Sequence, residues 1–232
     1  MLRSLLKIVG IIVLAGNFAY AETECAVPSD NILNSILRVV GESIDGSKVQ
    51  GSAVVVGANR VITAAHVIDD LRYLSIKSNG EARQAKVIFT ATEHDIALLE
   101  VDTTGLAPIP FSPVHLKSND PVWAVGYPLG GNLTSSAGAF VSNLNAYKLH
   151  TTAEVNHGQS GGGLITCSQG SYQLSGMIIS YGAVLRDGEY VRLTDYSVAV
   201  STDEVSSLIK IMEPSFALTS AKQLEPTVYS IR

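Results

Sequence analysis

The chain has no excess of basic charge. Lys and Arg number 16 against 21 Asp and Glu, a net charge of −5 in 232 residues. Nothing in that balance argues for nucleic acid as a partner. Only 16% of residues are charged and 46% are hydrophobic, so composition excludes a disordered chain. Cysteine is scarce: Cys25 and Cys167 are the two. No Cys/His cluster has zinc spacing, and no Gly-rich loop carries the Lys-Ser/Thr of a phosphate cradle. No metal and no cofactor are expected.

Long apolar runs are also missing, with one short exception at the start. Arg3 and Lys7 precede the run Ile8 to Ala15, and Ala19-Tyr20-Ala21 offers small residues at both cleavage-determining positions. This is the pattern of a secretory signal peptide over residues 1–21. The run is shorter than the ~20 residues that a membrane span needs. Cleavage after Ala21 moves the net charge to −7. The mature protein is expected in the periplasm or outside the cell, with no membrane contact after cleavage. Both cysteines lie in the exported part, where disulfides persist. A bridge between them would stabilise the fold by about 4–5 kcal/mol in the chain-entropy model. Two unpaired thiols are the other reading.

Helical periodicity is absent until the end. From about residue 35, short β-branched and apolar segments follow one another, among them G-S-A-V-V-V-G, R-V-I-T-A and I-A-L-L-E-V. Gly, Asn, Asp or Ser interrupts between most of them, as between strands. Residues 103–119 hold prolines at 108, 110 and 113, which marks a connector. A second set of strands follows, from V-W-A-V-G to Y-S-V-A-V. Two runs of about six strands predict an all-β fold of two six-stranded antiparallel barrels. The first barrel spans 22–110 and the second 111–212, with a tail over 213–232. Residues 201–212 predict one helix: Ser201 or Thr202 can cap it, and Val205, Leu208, Ile209 and Met212 share a face. Pro214 ends it.

Three short motifs carry chemistry. T-A-A-H puts His66 just past a strong strand. E-H-D-I-A-L-L puts Asp95 just before another, where a carboxylate can serve as a turn residue or orient an imidazole. G-Q-S-G-G-G, residues 158–163, sets Ser160 among glycines before an apolar strand. That stretch reads either as a flexible turn or as a nucleophile loop, where backbone N–H groups must crowd a reacting carbonyl.

Taken together and in that order, the motifs resemble the trypsin/chymotrypsin-like serine peptidases over residues 35–212. V-W-A-V-G-Y-P-L-G (122–130) and A-E-V-N-H-G-Q-S-G-G look like the bacterial HtrA/Deg branch. The resemblance implies a serine endopeptidase acting on protein or peptide substrates. Ser160 would be nucleophile, His66 base and Asp95 orienter, with Gly158 and Ser160 N–H groups as oxyanion hole. Ser180, Tyr181 and Gly182 match the strand that pairs with substrate backbone. Glu154, six residues before Ser160, matches the specificity-pocket carboxylate of trypsin and implies a basic side chain before the cleaved bond.

The match has departures. Gln159 replaces an Asp, and Glu22 is the predicted mature N-terminus, so the family's zymogen switch lacks both partners. Gly163 stands where trypsin has proline. No PDZ domain is expected after residue 212. An inactive pseudoprotease serving as a binding module is the alternative. An α/β-hydrolase is disfavoured, since strands and not a helix follow the serine. The sequence says nothing of oligomeric state.

Overall fold

The computed structural model describes residues 27–78 and 80–216. The signal-peptide stretch 1–21, Glu22, Cys25 and the tail from 217 onward lie outside them. Among the described residues no helix is long and apolar enough to cross a membrane.

After one turn of helix, α1 (Asp30–Leu33), the first half forms seven strands. They are β1 (Ile36–Ser43), β2 (Lys48–Gly57), β3 (Arg60–Thr63), β4 (Leu71–Ser78), β5 (Glu81–Gln84), β6 (Lys86–Ala91) and β7 (Ile96–Glu100). The second half forms β8 (Pro121–Gly126), β9 (Thr134–Asn143), β10 (Lys148–Thr151), β11 (Gly163–Ser168), β12 (Ser171–Arg186) and β13 (Glu189–Ser201). A helix, α2 (Thr202–Met212), follows.

The second half is a closed six-stranded barrel, as expected. The first half departs from the expectation: it is a curled seven-stranded sheet ordered β5-β4-β1-β2-β3-β7-β6. The break lies at Ala85, which alone separates β5 from β6. β5 pairs with β4, and β6 pairs with β7. One segment thus supplies both edges, and they meet end to end instead of side by side.

The halves share a core because strand residues alternate between two faces. On β8, Val122 and Ala124 fill the barrel interior, while Trp123 and Val125 join the cluster that includes the first sheet. On β11, Leu164 and Ile165 divide in the same way. Burial on both faces is why these strands read as nearly unbroken apolar runs.

Helix α2 forms where the sequence predicts it. Ser201 caps it, accepting from the Glu204 N–H at 3.4 Å. Val205 and Ile209, one turn apart, are fully buried. Just past its end Glu213 takes a two-pronged ion pair from Arg60 on β3, at 2.6 and 3.0 Å. Those hydrogen bonds hold the Glu213 carboxyl below the ordinary carboxylate range. The helix is therefore clamped onto the first sheet.

One feature of the second half escaped the sequence reading. β12 and β13 run on beyond the barrel as a hairpin, closed at Asp187-Gly188. Both turn residues have positive φ, 50° and 84°. Asp-Gly suits such a two-residue turn.

Candidate active site

Strand register brings His66 and Asp95 together. β3 pairs with β7 so that Thr63 lies opposite Ala97. Three residues after Thr63, His66 sits on a single 3-10 turn, Ala65–Val67. Two residues before Ala97, Asp95 sits in the left-handed region, φ 57° and ψ 42°. That backbone twist turns its carboxylate toward His66. Asp95 Oδ1 accepts the His66 backbone N–H at 2.9 Å, and Oδ2 lies 2.7 Å from His66 Nδ1. The Ala65 N–H donates to the Asp95 carbonyl at 3.2 Å. Residue 95 thus grips the 65–66 segment at three points. The adjacent His94 points elsewhere, toward Glu204 on α2, at 2.9 Å.

Ser160 lies in the turn between β10 and β11. This turn docks on the first sheet through Ser52 of β2, a fully buried polar residue in an apolar strand. The Ser52 N–H donates to the Ser160 carbonyl at 2.8 Å, and its hydroxyl donates to the Gly158 carbonyl at 2.8 Å. The Tyr127 N–H donates to the same hydroxyl at 2.9 Å. Gly161 then passes so close that a Cβ there would lie 2.1 Å from the Ser52 carbonyl and 2.3 Å from Thr63 Oγ1. Its φ of +83° adds a second reason for glycine. The Ser160 turn therefore rests on the Thr63–Ala64 segment that leads into His66.

The Ser160 hydroxyl bonds the Ile179 carbonyl at 3.4 Å, and no hydrogen bond joins it to His66. The structure unites two of the three predicted residues directly, and the turn that holds the third packs on the segment before His66.

Gly158 has φ +88°. The Leu129 N–H donates to the His157 carbonyl at 2.6 Å. Across a trans peptide the C=O and N–H point in opposite directions, so the Gly158 N–H faces away from that contact. Neither this N–H nor that of Ser160 donates to another group among the described residues. Gln159, between them, is buried and accepts the Asn156 N–H at 2.8 Å through its side chain.

Ser180, Tyr181 and Gly182 lie on β12 where it leaves the barrel. Ser180 is exposed. The Tyr181 hydroxyl meets His157 Nε2 at 2.5 Å, and the two rings stand edge to face. Glu154 is not a free carboxylate. Arg192 of β13 bonds it at 2.7 Å and the Val155 carbonyl at 2.8 Å. Cys167 lies half-buried on β11.

Sequence reasoning missed Ser52, Leu129, His157 and Arg192. Only Ser52 left a signal, as one polar residue directly before A-V-V-V. Among the described residues no group of three or more His, Cys, Asp or Glu is placed to hold a metal ion.

Comparison with known proteins gives the family and the fold. The family described as "Trypsin-like peptidase domain" matches residues 51–173. Protease Do-like 2, chloroplastic, of Arabidopsis thaliana is 32% identical over 129 residues, 48% of this chain and 21% of that protein. Serine endoprotease DegS of Salmonella typhimurium is 29% identical over 163 residues, 64% of this chain and 45% of that one. The chain spans less than half the length of these curated relatives. The solved structure of the Rv3671c protease from M. tuberculosis, active form, matches with a TM-score of 0.69 at 19% identity. It covers 90% of this chain and 95% of that one, and it shows a shared chymotrypsin-like fold.

Proposed function

Because the chain belongs to the trypsin-like peptidase domain family, we propose that it is an exported serine endopeptidase working through Ser160, His66 and Asp95. The observation that carries the proposal is the His66–Asp95 pair beside the Ser160 turn. Asp95 Oδ2, 2.7 Å from Nδ1, holds the neutral imidazole with its proton on Nδ1. Nε2 is then the free base.

The chemistry follows from that tautomer. Ser160 Oγ attacks the scissile carbonyl carbon as its proton passes to His66 Nε2. The carbonyl π pair moves to oxygen, where the Gly158 and Ser160 N–H groups receive it. Collapse breaks the C–N bond, and His66 returns the proton to the leaving amine. Water then cleaves the acyl ester by the same route. For the first step the Ser160 hydroxyl must leave the Ile179 carbonyl. A 3.4 Å contact is long for O–H···O and holds it weakly. Such hydrogen bonds often tighten only when substrate arrives.

The expected preference for a basic side chain is dropped. A carboxylate already bonded to Arg192 gains little from a second cation, so Glu154 is assigned to holding Arg192. No lesion at the site favours an inactive binding module. Export is supported by the amino-terminal pattern and by a Haemophilus influenzae relative named as a probable periplasmic serine protease, 29% identical over 154 residues. In that compartment a Cys25–Cys167 bridge would persist.

The test is proteolysis. The wild-type protein should cleave casein or members of a peptide library, and Ser160→Ala should lose turnover by roughly 10⁴- to 10⁶-fold with an unchanged circular dichroism spectrum. Equal cleavage by both proteins would sink the proposal.

A further inference from the structure

The nucleophile turn stands where β12 loses a partner. β11 pairs with β12 only as far as Gly163 opposite Met177. Two more bonds carry the ladder into the turn: Gly161 N–H to the Ile178 carbonyl at 2.7 Å, and Ile178 N–H to the Gly162 carbonyl at 2.8 Å. Ser160 then faces Ile179. From Ser180 to Arg186, β12 pairs only with β13 among the described residues, in a ladder that shifts register between Tyr181 and Ala183. Its other edge is open for seven residues, roughly 23 Å of strand. An open edge is a row of N–H and C=O groups ready for another strand.

We propose that this whole edge, well past Gly182, docks the substrate segment that precedes the cleaved bond, and that Leu185 and Tyr190 select apolar side chains there. The proposal rests on the peptidase reading. The resemblance accounts for pairing at Ser180, Tyr181 and Gly182. Ala183 to Arg186 extend it by four positions, which engages substrate out to roughly the seventh residue before the cut.

Direction supports this occupant. Every ladder in the two sheets is antiparallel. β12 runs from the Ser160 side toward the hairpin tip. An antiparallel peptide runs from the tip toward Ser160 and delivers a carbonyl carbon there. That is the acyl half of the substrate, the half a serine nucleophile must capture.

The side chains supply the selectivity. Leu185 and Tyr190 lie directly opposite each other, 63% and 82% exposed. Exposed apolar pairs on an open edge invite association unless they have a use. The base of the hairpin is held against the site, since Arg192 bonds both Glu154 and the Val155 carbonyl.

The test compares two fluorogenic peptides that share one cleavage sequence. One carries three residues before the cut, and the other adds four more, including leucine and valine. The longer peptide should show kcat/KM higher by about 10-fold or more. The variant Leu185→Ser/Tyr190→Ser should cleave the short peptide like wild type and lose most of that gain. Equal rates on both peptides, or a variant that keeps the full gain, would overturn the docking edge and leave the peptidase reading intact. So would light scattering that shows a dimer dissociated by the variant, with no dependence on length, because the edge would then serve a second copy. No cleavage of either peptide and no fluorophosphonate adduct on Ser160 would overturn both.

Discussion

Asp95→Asn should lower kcat/KM on the order of 10⁴-fold while the protein stays folded. The reason is the two-point grip. Asp95 accepts the His66 backbone N–H through Oδ1 and faces the ring Nδ1 through Oδ2. An asparagine keeps one acceptor and turns the other into an N–H donor. If its oxygen keeps the backbone bond, its amino group faces Nδ1. The imidazole then moves its proton to Nε2, so that Nδ1 can accept. The nitrogen meant to receive the Ser160 proton now carries one of its own. Geometry survives and basicity at the required atom is lost. The fold should hold, because the backbone bond at Oδ1 and the Ala65 N–H bond to the residue 95 carbonyl are both retained. A drop of less than about 10-fold would mean that Asp95 is only a turn residue.

Gly158→Ala should lower kcat by about 10²- to 10³-fold with a much smaller change in KM. A methyl group at residue 158 would lie 2.6 Å from the Tyr127 carbonyl and 3.2 Å from the Leu129 nitrogen. Neither neighbour yields easily. Tyr127 is tied to Ser52 through its N–H, and Leu129 to the His157 carbonyl. The peptide before Gly158 must therefore rotate or shift, and with it the N–H assigned to the oxyanion. Left-handed backbone adds a stability cost of about 1–2 kcal/mol for a residue with a Cβ. Active-site titration separates the two effects, since lost stability lowers the number of labelled sites and leaves kcat per labelled site alone. Wild-type kcat per labelled site would show that this N–H takes no part.

The site was legible in sequence where it depends on local chain. His66 follows a strand, Asp95 precedes one, and Ser160 stands among glycines, so each motif carries its own turn. What joins them is long-range. Ser52 lies more than 100 residues before the Ser160 turn, and its only mark is polarity at the start of an apolar run. The Arg192–Glu154 pair and the His157–Tyr181 contact depend on how the β12–β13 hairpin folds back, which no periodicity reports. The hairpin left one signal, Asp187-Gly188, that went unread. Its exposed strands lack the apolar density that drew attention to the barrel strands. The open first sheet was hidden for another reason. A break at Ala85 that gives neighbouring residues to two different edges leaves no mark in composition.

The most direct test is labelling of the wild-type protein with a fluorophosphonate, read by intact mass and peptide mapping. Such a probe reacts with a serine that has a base at hand and an oxyanion site to receive the phosphoryl oxygen. One adduct per chain, mapped to Ser160 and absent from Ser160→Ala, is the expected result. A folded protein that takes no adduct, or takes it at another residue, would contradict an assembled Ser160–His66–Asp95 site.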